Sequence, residues 1–263
     1  MHRRRFLHAV GIAAGLGVVL PVRAEILRMN DAINQSGRQR MLSQRIAKTY
    51  LQMGQAIDTE RSARIFSDSM TLFDRQLGAL QAFAPNAENR ATLAEIKKSW
   101  GRYRDLLLRG KPNCEDAKYV LQLSDEVLTQ AHTATLQLEA ASGTAGGHLV
   151  NIAGRQRMLS QRMAKLYQAA NWGVAPANGR EQLVQARTEF LAAMKELSGA
   201  VREQPAIAAE LNLAQQQWFF FDQALHSPVN AENRLRFAVN VATTSERILE
   251  TMDRVTGMME RLG

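Results

Sequence analysis

The sequence predicts an all-α protein, built as two tandem four-helix up-down bundles that follow a cleaved signal peptide. Apolar residues recur at steps of three and four along almost the whole chain, and the alternation typical of strands is missing. Proline, glycine and asparagine interrupt this pattern at intervals of about one helix. The nine-residue segment GRQRMLSQR occurs twice, at Gly37–Arg45 and at Gly154–Arg162. Together these observations predict a duplicated helical unit.

The N-terminus has the layout of a secretory signal peptide. Arginines at 3–5 precede a short apolar run over 9–20, and small residues lead to Ala24. The run is shorter than the roughly 20 residues that span a bilayer, so cleavage after Ala24 is favoured over an uncleaved membrane anchor. The segment Arg3-Arg4-Arg5-Phe6-Leu7 also resembles a twin-arginine export signal. By either export route, the mature chain is predicted to be periplasmic.

Composition narrows the class of protein further. Residues 1–24 hold four of the 33 Lys and Arg residues and no acidic residue, so their removal lowers the formal net charge from +8 to +4. This excess is too small to indicate nucleic acid as a partner. Cys114 is the only cysteine, which excludes an intrachain disulfide. Because no metal-binding spacing and no nucleophile–base pair is found, we predict no metal, no cofactor, no catalytic residue and no enzymatic activity.

The apolar period and the breakers between its segments place the helices. Four helices are predicted in unit 1, residues 25–146, and four in unit 2, residues 147–263. Glycines at 143, 146 and 147 favour this division over one continuous eight-helix domain. The segment NAENR occurs at 86–90 and 230–234, and we interpret it as a helix start capped by asparagine. The predicted helices span 26–58, 60–83, 88–109, 115–142, 148–172, 179–202, 206–226 and 230–261.

The repeat is longer than its identical core. Residues 34–50 and 151–167 share 13 of 17 positions. The aromatic run at 218–221 is assigned to core packing rather than to an interface. Aromatic residues that correspond between the units are Phe73 and Phe190, and Trp100 and Trp218.

The repeated segment places a glycine, an arginine and a glutamine on one stripe of its helix. In unit 1 these are Gly37, Arg40 and Gln44, at steps of three and four. Glycine inside a helix costs roughly 0.5–1 kcal/mol relative to alanine, so Gly37 indicates close approach of another helix or of a ligand. Because 32–57 contains no acidic residue, the charge of Arg40 must be compensated by another helix or by a bound anion. The equivalent residues of unit 2 are Gly154, Arg157 and Gln161.

The identity of the polar positions favours a ligand over packing alone. Ion pairs with acidic residues of neighbouring helices would explain arginines in a packing motif. Packing, however, preserves apolar positions and lets polar ones vary, whereas here the polar positions are identical. We therefore predict that the repeated helix binds a ligand. Residues predicted to lie near that ligand, or on a solvated flank, are Asn34, Arg38, Arg45, Lys48, Asn151, Arg155, Arg162 and Lys165.

The repeated segment resembles that of a known sensor family. NQSGRQRMLSQRIAKTY and NIAGRQRMLSQRMAKLY are similar to the signature helix of the PilJ/NarX-like sensor domain. That domain is the periplasmic four-helix module of nitrate/nitrite sensor kinases and of pilus-associated chemotaxis transducers. The resemblance implies a module that dimerises, in which an arginine from each protomer grips one anion at the interface. By position these arginines are Arg40 and Arg157, and Gly37 and Gly154 would give the anion access to the backbone.

Two departures from the family shape the functional prediction. The nitrate-sensor form has an apolar residue where Gln39 and Gln156 stand, so the chain is more similar to the PilJ form. Family members also carry flanking transmembrane helices and a cytoplasmic output domain, for which this sequence shows no counterpart. We therefore expect the protein to report through a partner, such as a membrane sensor or a transporter component.

The sequence thus predicts a periplasmic sensory module that binds a small oxyanion, with nitrate or nitrite as the first candidates. The tandem units would imitate the sensor dimer within one chain, so that Arg40 and Arg157 converge on one anion. Two independent sites, or sites in a homodimer, are alternatives that the sequence leaves open. The alternative function is a helical interaction protein of a pilus or chemosensory assembly, without a small ligand.

Overall fold

The structure, a computed structural model, describes residues 28–227 and 232–262. Over these residues it contains eight α-helices and no strand, which confirms the all-α fold class. The predicted signal peptide lies outside the described residues, as does Asn230 at the second NAENR segment. The helices are α1 (Met29–Gly54), α2 (Thr59–Phe83), α3 (Ala87–Leu107), α4 (Cys114–Ser142), α5 (Ala145–Asn171), α6 (Gly179–Ala200), α7 (Pro205–His226) and α8 (Arg234–Leu262).

Local capping chemistry sets several helix ends, including the two at the junction between the units. Asn86 caps α3, because its Oδ1 accepts a hydrogen bond from the backbone N–H of Asn89 at 2.8 Å. Gly143 ends α4 with a φ of +60°, in the left-handed region that glycine adopts without a steric cost. Thr144 then caps α5 by accepting from the N–H of Gly147 at 3.0 Å. Only two residues separate α4 from α5, so the unit boundary predicted after residue 146 lies in the first turn of α5.

Helix α1 ends four residues earlier than predicted. Ala56 and Asp58 adopt φ angles of 55° and 41°, a left-handed conformation that interrupts a helix. This turn carries Ile57 into the core, where it is 1% exposed. The early end of α1 therefore allows the apolar side chain of Ile57 to be buried.

Each unit is an up-down bundle. In unit 1, α1 packs against α2 and α4, and α3 packs against α4; in unit 2, α5 packs against α6 and α8, and α7 packs against α8. A stacked aromatic pair occupies the same place in both units. Phe73 and Trp100 have ring centroids 4.1 Å apart, and Phe190 and Trp218 have centroids 4.4 Å apart. The correspondence of these residues between the units is confirmed.

The aromatic run at 218–221 is divided between core and surface. Phe221 is fully buried and Trp218 packs against the core. Phe219 and Phe220, however, are 60% and 64% exposed, because α7 turns these two positions away from the bundle. The prediction that the whole run packs in the core is wrong for these two residues.

Helices α1 and α5 hold the two units together. They run parallel to each other: Arg40 of α1 contacts Asn151 near the start of α5, and Gln55, just beyond α1, contacts Gln168 near the end of α5. Both helices are buried around nearly their whole circumference. The polar motif residues are therefore inside the molecule. No helix in the described part of the chain is long and apolar enough to cross a membrane.

Candidate functional site

The two motif glycines allow the motif arginines to lie against the seam between α1 and α5. A Cβ atom added to Gly37 would lie 3.0 Å from Nη2 of Arg40 and 3.8 Å from Nη2 of Arg157. A Cβ atom added to Gly154 would lie 3.1 Å from Nη2 of Arg157 and 3.6 Å from Nη2 of Arg40. The fold thus brings the two arginines, one from each unit, to the same place.

Each of these arginines is held by an asparagine of the opposite unit. Nη2 of Arg40 donates to Oδ1 and to the backbone oxygen of Asn151, at 2.7 and 3.3 Å. Nη2 of Arg157 donates to the same two atoms of Asn34, at 2.8 and 3.3 Å. Both guanidinium groups are fully buried, and their Nε atoms have no hydrogen-bond partner among the described residues. Asn34 and Asn151 therefore act as reciprocal anchors across the seam.

The motif glutamines lie elsewhere, inside their own units. Nε2 of Gln44 donates to the backbone oxygen of Ser124 in α4 at 3.0 Å. Nε2 of Gln161 donates to the backbone oxygen of Ser245 in α8, also at 3.0 Å. These bonds join the first and last helix of each unit. Gln44 and Gln161 are thus placed away from the meeting point of the arginines.

The outer cations of the motif pair with carboxylates of the opposite unit. Arg45 and Lys48 of α1 both contact the carboxylate of Glu246 in α8. Burial alone would raise the pKa of Glu246, but Lys48 and Arg45 lower it to about 2. Ion pairing with a neighbouring helix therefore explains these cations. In unit 2 the equivalent contacts join Arg162, at 3.5 Å, and Lys165, at 2.7 Å, to Asp125 of α4.

The two-fold correspondence between the units breaks around Arg38 and Arg157 and their equivalents. Arg38 pairs with Asp253 of α8, whereas its equivalent Arg155 pairs with Glu189 of α6. Nη1 of Arg157 contacts Asp253 of α8, and Nη2 of Arg38 lies 2.7 Å from the same carboxylate oxygen. At the equivalent place in the other half, Nη1 of Arg40 lies 3.3 Å from Nδ1 of His132. The two repeats, 34–50 and 151–167, contain eight cations, and the other seven each have a carboxylate partner. Arg40 alone among them has no carboxylate within ion-pair distance in the described part of the chain.

The pKa values of Arg40 and His132 are both lowered on the side where the carboxylate is missing. Burial lowers the pKa of Arg40 to about 9, and the charges of Arg155 and Arg157 add to the effect. Burial and then the charge of Arg40 lower the pKa of His132 to about 4. The ring is therefore neutral at pH 7, and its Nδ1 accepts a hydrogen bond from Arg40. For Arg157, burial lowers the pKa only to about 10, because Asp253 opposes the shift.

A cavity of about 200 Å³ lies on the Arg40 side, between the two units. Arg40 of α1 and His132 of α4 line it from unit 1, and Arg155 and Arg162 of α5 line it from unit 2. Glu189 of α6 is its one acidic lining residue, 2.6 Å from Nη2 of Arg155. The cavity thus carries three arginines against one carboxylate. Its apolar wall is formed by Leu128, Met158, Leu159 and Ala186.

Sequence reasoning found the motif but missed its partners in α4 and α8. These two helices align at an offset of 121 positions with six identical residues, whereas the motif repeats at an offset of 117. In this alignment Asp125 corresponds to Glu246, and His132 corresponds to Asp253. The similarity between α4 and α8 is present in the sequence, but its six identical residues are scattered over the whole helix. Its offset also differs from that of the motif by four positions.

The side chains that line the cavity are of types that bind anions. The cavity is lined by arginines, one histidine, one glutamate, amides and apolar side chains. Among the described residues, no cluster of histidine, cysteine, aspartate or glutamate is arranged to hold a metal ion. Cys114 is exposed and lies outside the cavity lining. The arrangement can hold and orient a small anion.

Comparison with known proteins identifies the family. The family model described as type IV pili methyl-accepting chemotaxis transducer N-term, PilJ, matches the chain twice, over residues 23–142 and 138–219. The first match contains α1–α4, and the second contains α5, α6 and most of α7. Searches of curated proteins and of solved structures gave no match. PilJ domains are periplasmic-type sensory domains, which makes this chain a sensory or signalling module in its broad class. Because the matches together span most of the sequence, the chain belongs to the PilJ family and contains the transducer N-terminal domain in tandem.

Proposed function

We propose that this PilJ protein is a periplasmic sensory module that binds a small oxyanion at Arg40 and reports binding to a partner protein. The observation that carries the proposal is the fully buried guanidinium of Arg40, which lines a cavity and lacks a carboxylate partner among the described residues. A buried ion without a partner costs several kcal/mol. A bound anion would supply the missing negative charge. Nitrate and nitrite are the first candidates, because their planar oxygens match the planar guanidinium fork.

The position of the cavity supports a signalling role. Its walls come from α1 and α4 of unit 1 and from α5 and α6 of unit 2. An anion that contacts arginines of both units would favour the packing in which those units lie close together. Such a ligand shifts the molecule toward one arrangement, to the extent that it binds that arrangement more tightly. A membrane sensor or a transporter component that contacts both units would read this change.

Thermal unfolding of the full chain in matched sodium salts tests the proposal. We expect nitrate, nitrite or acetate to raise Tm above its value in chloride by about 5–10 °C at one hundred times the Kd, since such binding adds about 2.7 kcal/mol. Arg40→Met removes the charge, keeps an apolar stem and should abolish the effect. Arg64→Ala, at a side chain 71% exposed on α2, is the surface control and should retain it. An equal Tm in all four salts would contradict anion binding.

A second function is favoured by one observation on α7. Phe219 and Phe220 are exposed and lie edge to face, with ring centroids 5.6 Å apart. Two adjacent exposed aromatic rings suit a docking surface of an interaction protein in a pilus or chemosensory assembly. An oligomer that ignores anions and dissociates in the Phe219→Ser/Phe220→Ser variant, as measured by analytical ultracentrifugation, would favour this function. An unchanged monomer would count against it.

A further inference from the structure

Asp253 occupies, in one half of the molecule, the position that His132 occupies beside the cavity in the other half. Its carboxylate accepts hydrogen bonds from Nη1 of Arg157 and Nη2 of Arg38. The equivalents of these two arginines are Arg40 and Arg155, and both line the cavity. The equivalent of Asp253 is His132, which brings no negative charge to them. In one half the two arginines share the carboxylate of Asp253, whereas in the other half Arg155 pairs with Glu189 and Arg40 has no carboxylate partner among the described residues.

We infer that the cavity beside Arg40 is the single ligand site of an asymmetric receptor, that it takes a small aliphatic monocarboxylate, and that Asp253 is a built-in copy of the ligand's carboxylate. The inference rests on the proposed function and specifies its ligand class and its location. The proposed ligand lies in the cavity, between Arg40 and Arg155, and not between Arg40 and Arg157 at the contact of α1 with α5.

The chemical class of the ligand follows from three features of the cavity. Asp253 shows that Arg38 and Arg157 accept a shared carboxylate, so their equivalents in the cavity wall suit a carboxylate as well. The wall opposite the arginines includes the buried side chains of Leu128, Met158 and Leu159, which suit a short hydrocarbon body. The volume of about 200 Å³ is smaller than the sites that hold drug-sized ligands.

The charge of the cavity limits the ligand to one carboxylate. Glu189 lies in the wall beside Arg155 and would repel a second negative group. Arg162 is already within ion-pair distance of Asp125. Arg40 is therefore the one lining arginine without a carboxylate partner in the described residues, and it has one unit of charge to be balanced.

His132 contacts Arg40 without supplying a negative charge, so Arg40 can still bind an anion. An aspartate at this position would reach Arg40 and Arg155, as Asp253 reaches Arg157 and Arg38, and would close the site from within. The neutral ring accepts one hydrogen bond from Arg40 and leaves the charge of the guanidinium uncompensated. Ligand binding would therefore give Arg40 the carboxylate contact that Arg157 already makes with Asp253.

Isothermal titration of the full chain with acetate at pH 7.5 tests this inference. We expect one acetate per chain in the wild type and none in His132→Asp, in which the new carboxylate takes the ligand's place. His132→Asn, of the same size as aspartate but without its charge, is the matched control and should still bind one. Asp253→His should gain a second acetate. Binding that survives in His132→Asp, or a stoichiometry that stays at one in folded Asp253→His, would overturn the inference.

The His132→Asp and His132→Asn pair decides the question even where Asp253→His fails to fold. Affinity should also rise about fourfold per methylene from acetate to propionate to butyrate, which corresponds to about 0.8 kcal/mol for each buried methylene. A flat or falling series would overturn the aliphatic ligand class. Absence of binding for nitrate, nitrite and every carboxylate in the wild type would instead overturn the proposed function itself.

Discussion

Lys48 and Arg40 are both fully buried cations of one helix, yet they are compensated differently. Lys48 contacts the carboxylate of Glu246, and although burial lowers its pKa to about 8, the amine remains charged at pH 7. Arg40 is held by the neutral groups of Asn151 and His132. At the scale of single residues, the feature that distinguishes Arg40 from the other cations of the repeats is therefore that it lacks a carboxylate partner among the described residues.

The residue-scale prediction concerns the pH dependence of stability. The pKa of His132 is about 4 in the folded chain, below its ordinary value of 6.5. Between these values the unfolded chain binds a proton that the folded chain does not, so stability is lost as pH falls from about 6.5 toward 4. Urea unfolding of His132→Asn should show a shallower loss of stability over this window than the wild type. The charged and titratable groups that face the ring are Arg40, Arg155, Glu139 and Glu189.

Equal slopes for the wild type and His132→Asn over that window would mean that the ring titrates in the folded chain as it does in the unfolded one. Saturating acetate supplies a sharper comparison. A bound anion beside the ring would raise the pKa of His132, so the loss of stability as pH falls from 6.5 to about 5.5, where acetate remains ionised, should become smaller with acetate present.

At the scale of helices, α1 and α5 are unusual because they are polar in sequence and buried on nearly all sides. Each touches three or more other helices, so one stripe of its surface faces its own unit while another faces the opposite unit. The glycine of the motif lies where the two guanidinium groups approach the backbone. Close approach, rather than helix propensity, explains a glycine at this position.

The element-scale prediction is that Gly37→Ala weakens anion binding while the fold is retained. The added Cβ would lie 3.0 Å from Nη2 of Arg40, so the guanidinium must shift by a few tenths of an ångström and its bonds to Asn151 weaken. Helix propensity gains roughly 0.5–1 kcal/mol, which offsets part of the cost. We expect a net change in unfolding free energy below about 1 kcal/mol and a several-fold loss of affinity in the acetate titration.

Gly78→Ala is the matched control for this variant. Gly78 lies inside α2, and a Cβ there would meet nothing within 4 Å. This variant should be stabilised by roughly 0.5–1 kcal/mol with unchanged affinity. A loss of affinity in Gly78→Ala equal to that in Gly37→Ala would remove the link between the motif glycine and the site.

The helices could be predicted to within a few residues because apolar period, caps and breakers are local signals. The early end of α1 could not be predicted, because the left-handed turn at Ala56 and Asp58 accompanies burial of Ile57. That burial is a tertiary contact, which the local sequence does not specify. The motif arginines were found from identity between the units. Their partners Asp253 and His132 were not, because the choice of facing helices is made by tertiary packing.

The position of Gln44 and Gln161 inside their own units has the same cause. On a helix surrounded by several neighbours, a stripe of polar residues does not face a single partner. Arg40 on that stripe points to the opposite unit, whereas Gln44, one turn further on, points to α4 of its own unit. The spacing of residues in the sequence predicts which side chains share one face of the helix. It does not predict which neighbouring helix each of them contacts.

At the scale of the whole molecule, the chain is arranged like a dimer within one polypeptide. The parallel pair α1 and α5 forms its centre, and α4 and α8 each bring a carboxylate to cations of the opposite unit. A homodimer of identical units would have two equal sites related by symmetry. Duplication within one chain removes that constraint, and the difference between Asp253 and His132 leaves Arg157 with a carboxylate partner and Arg40 with none among the described residues.

The most direct test of this account is the electron density of a crystal of the full chain grown with butyrate. We expect one butyrate per chain in the cavity, with its carboxylate between Arg40 and Arg155 and its hydrocarbon body against Leu128 and Met158. Asp253 should still contact Arg157. An anion centred between Arg40 and Arg157 that displaces Asp253, or a ligand found only outside the cavity, would contradict it.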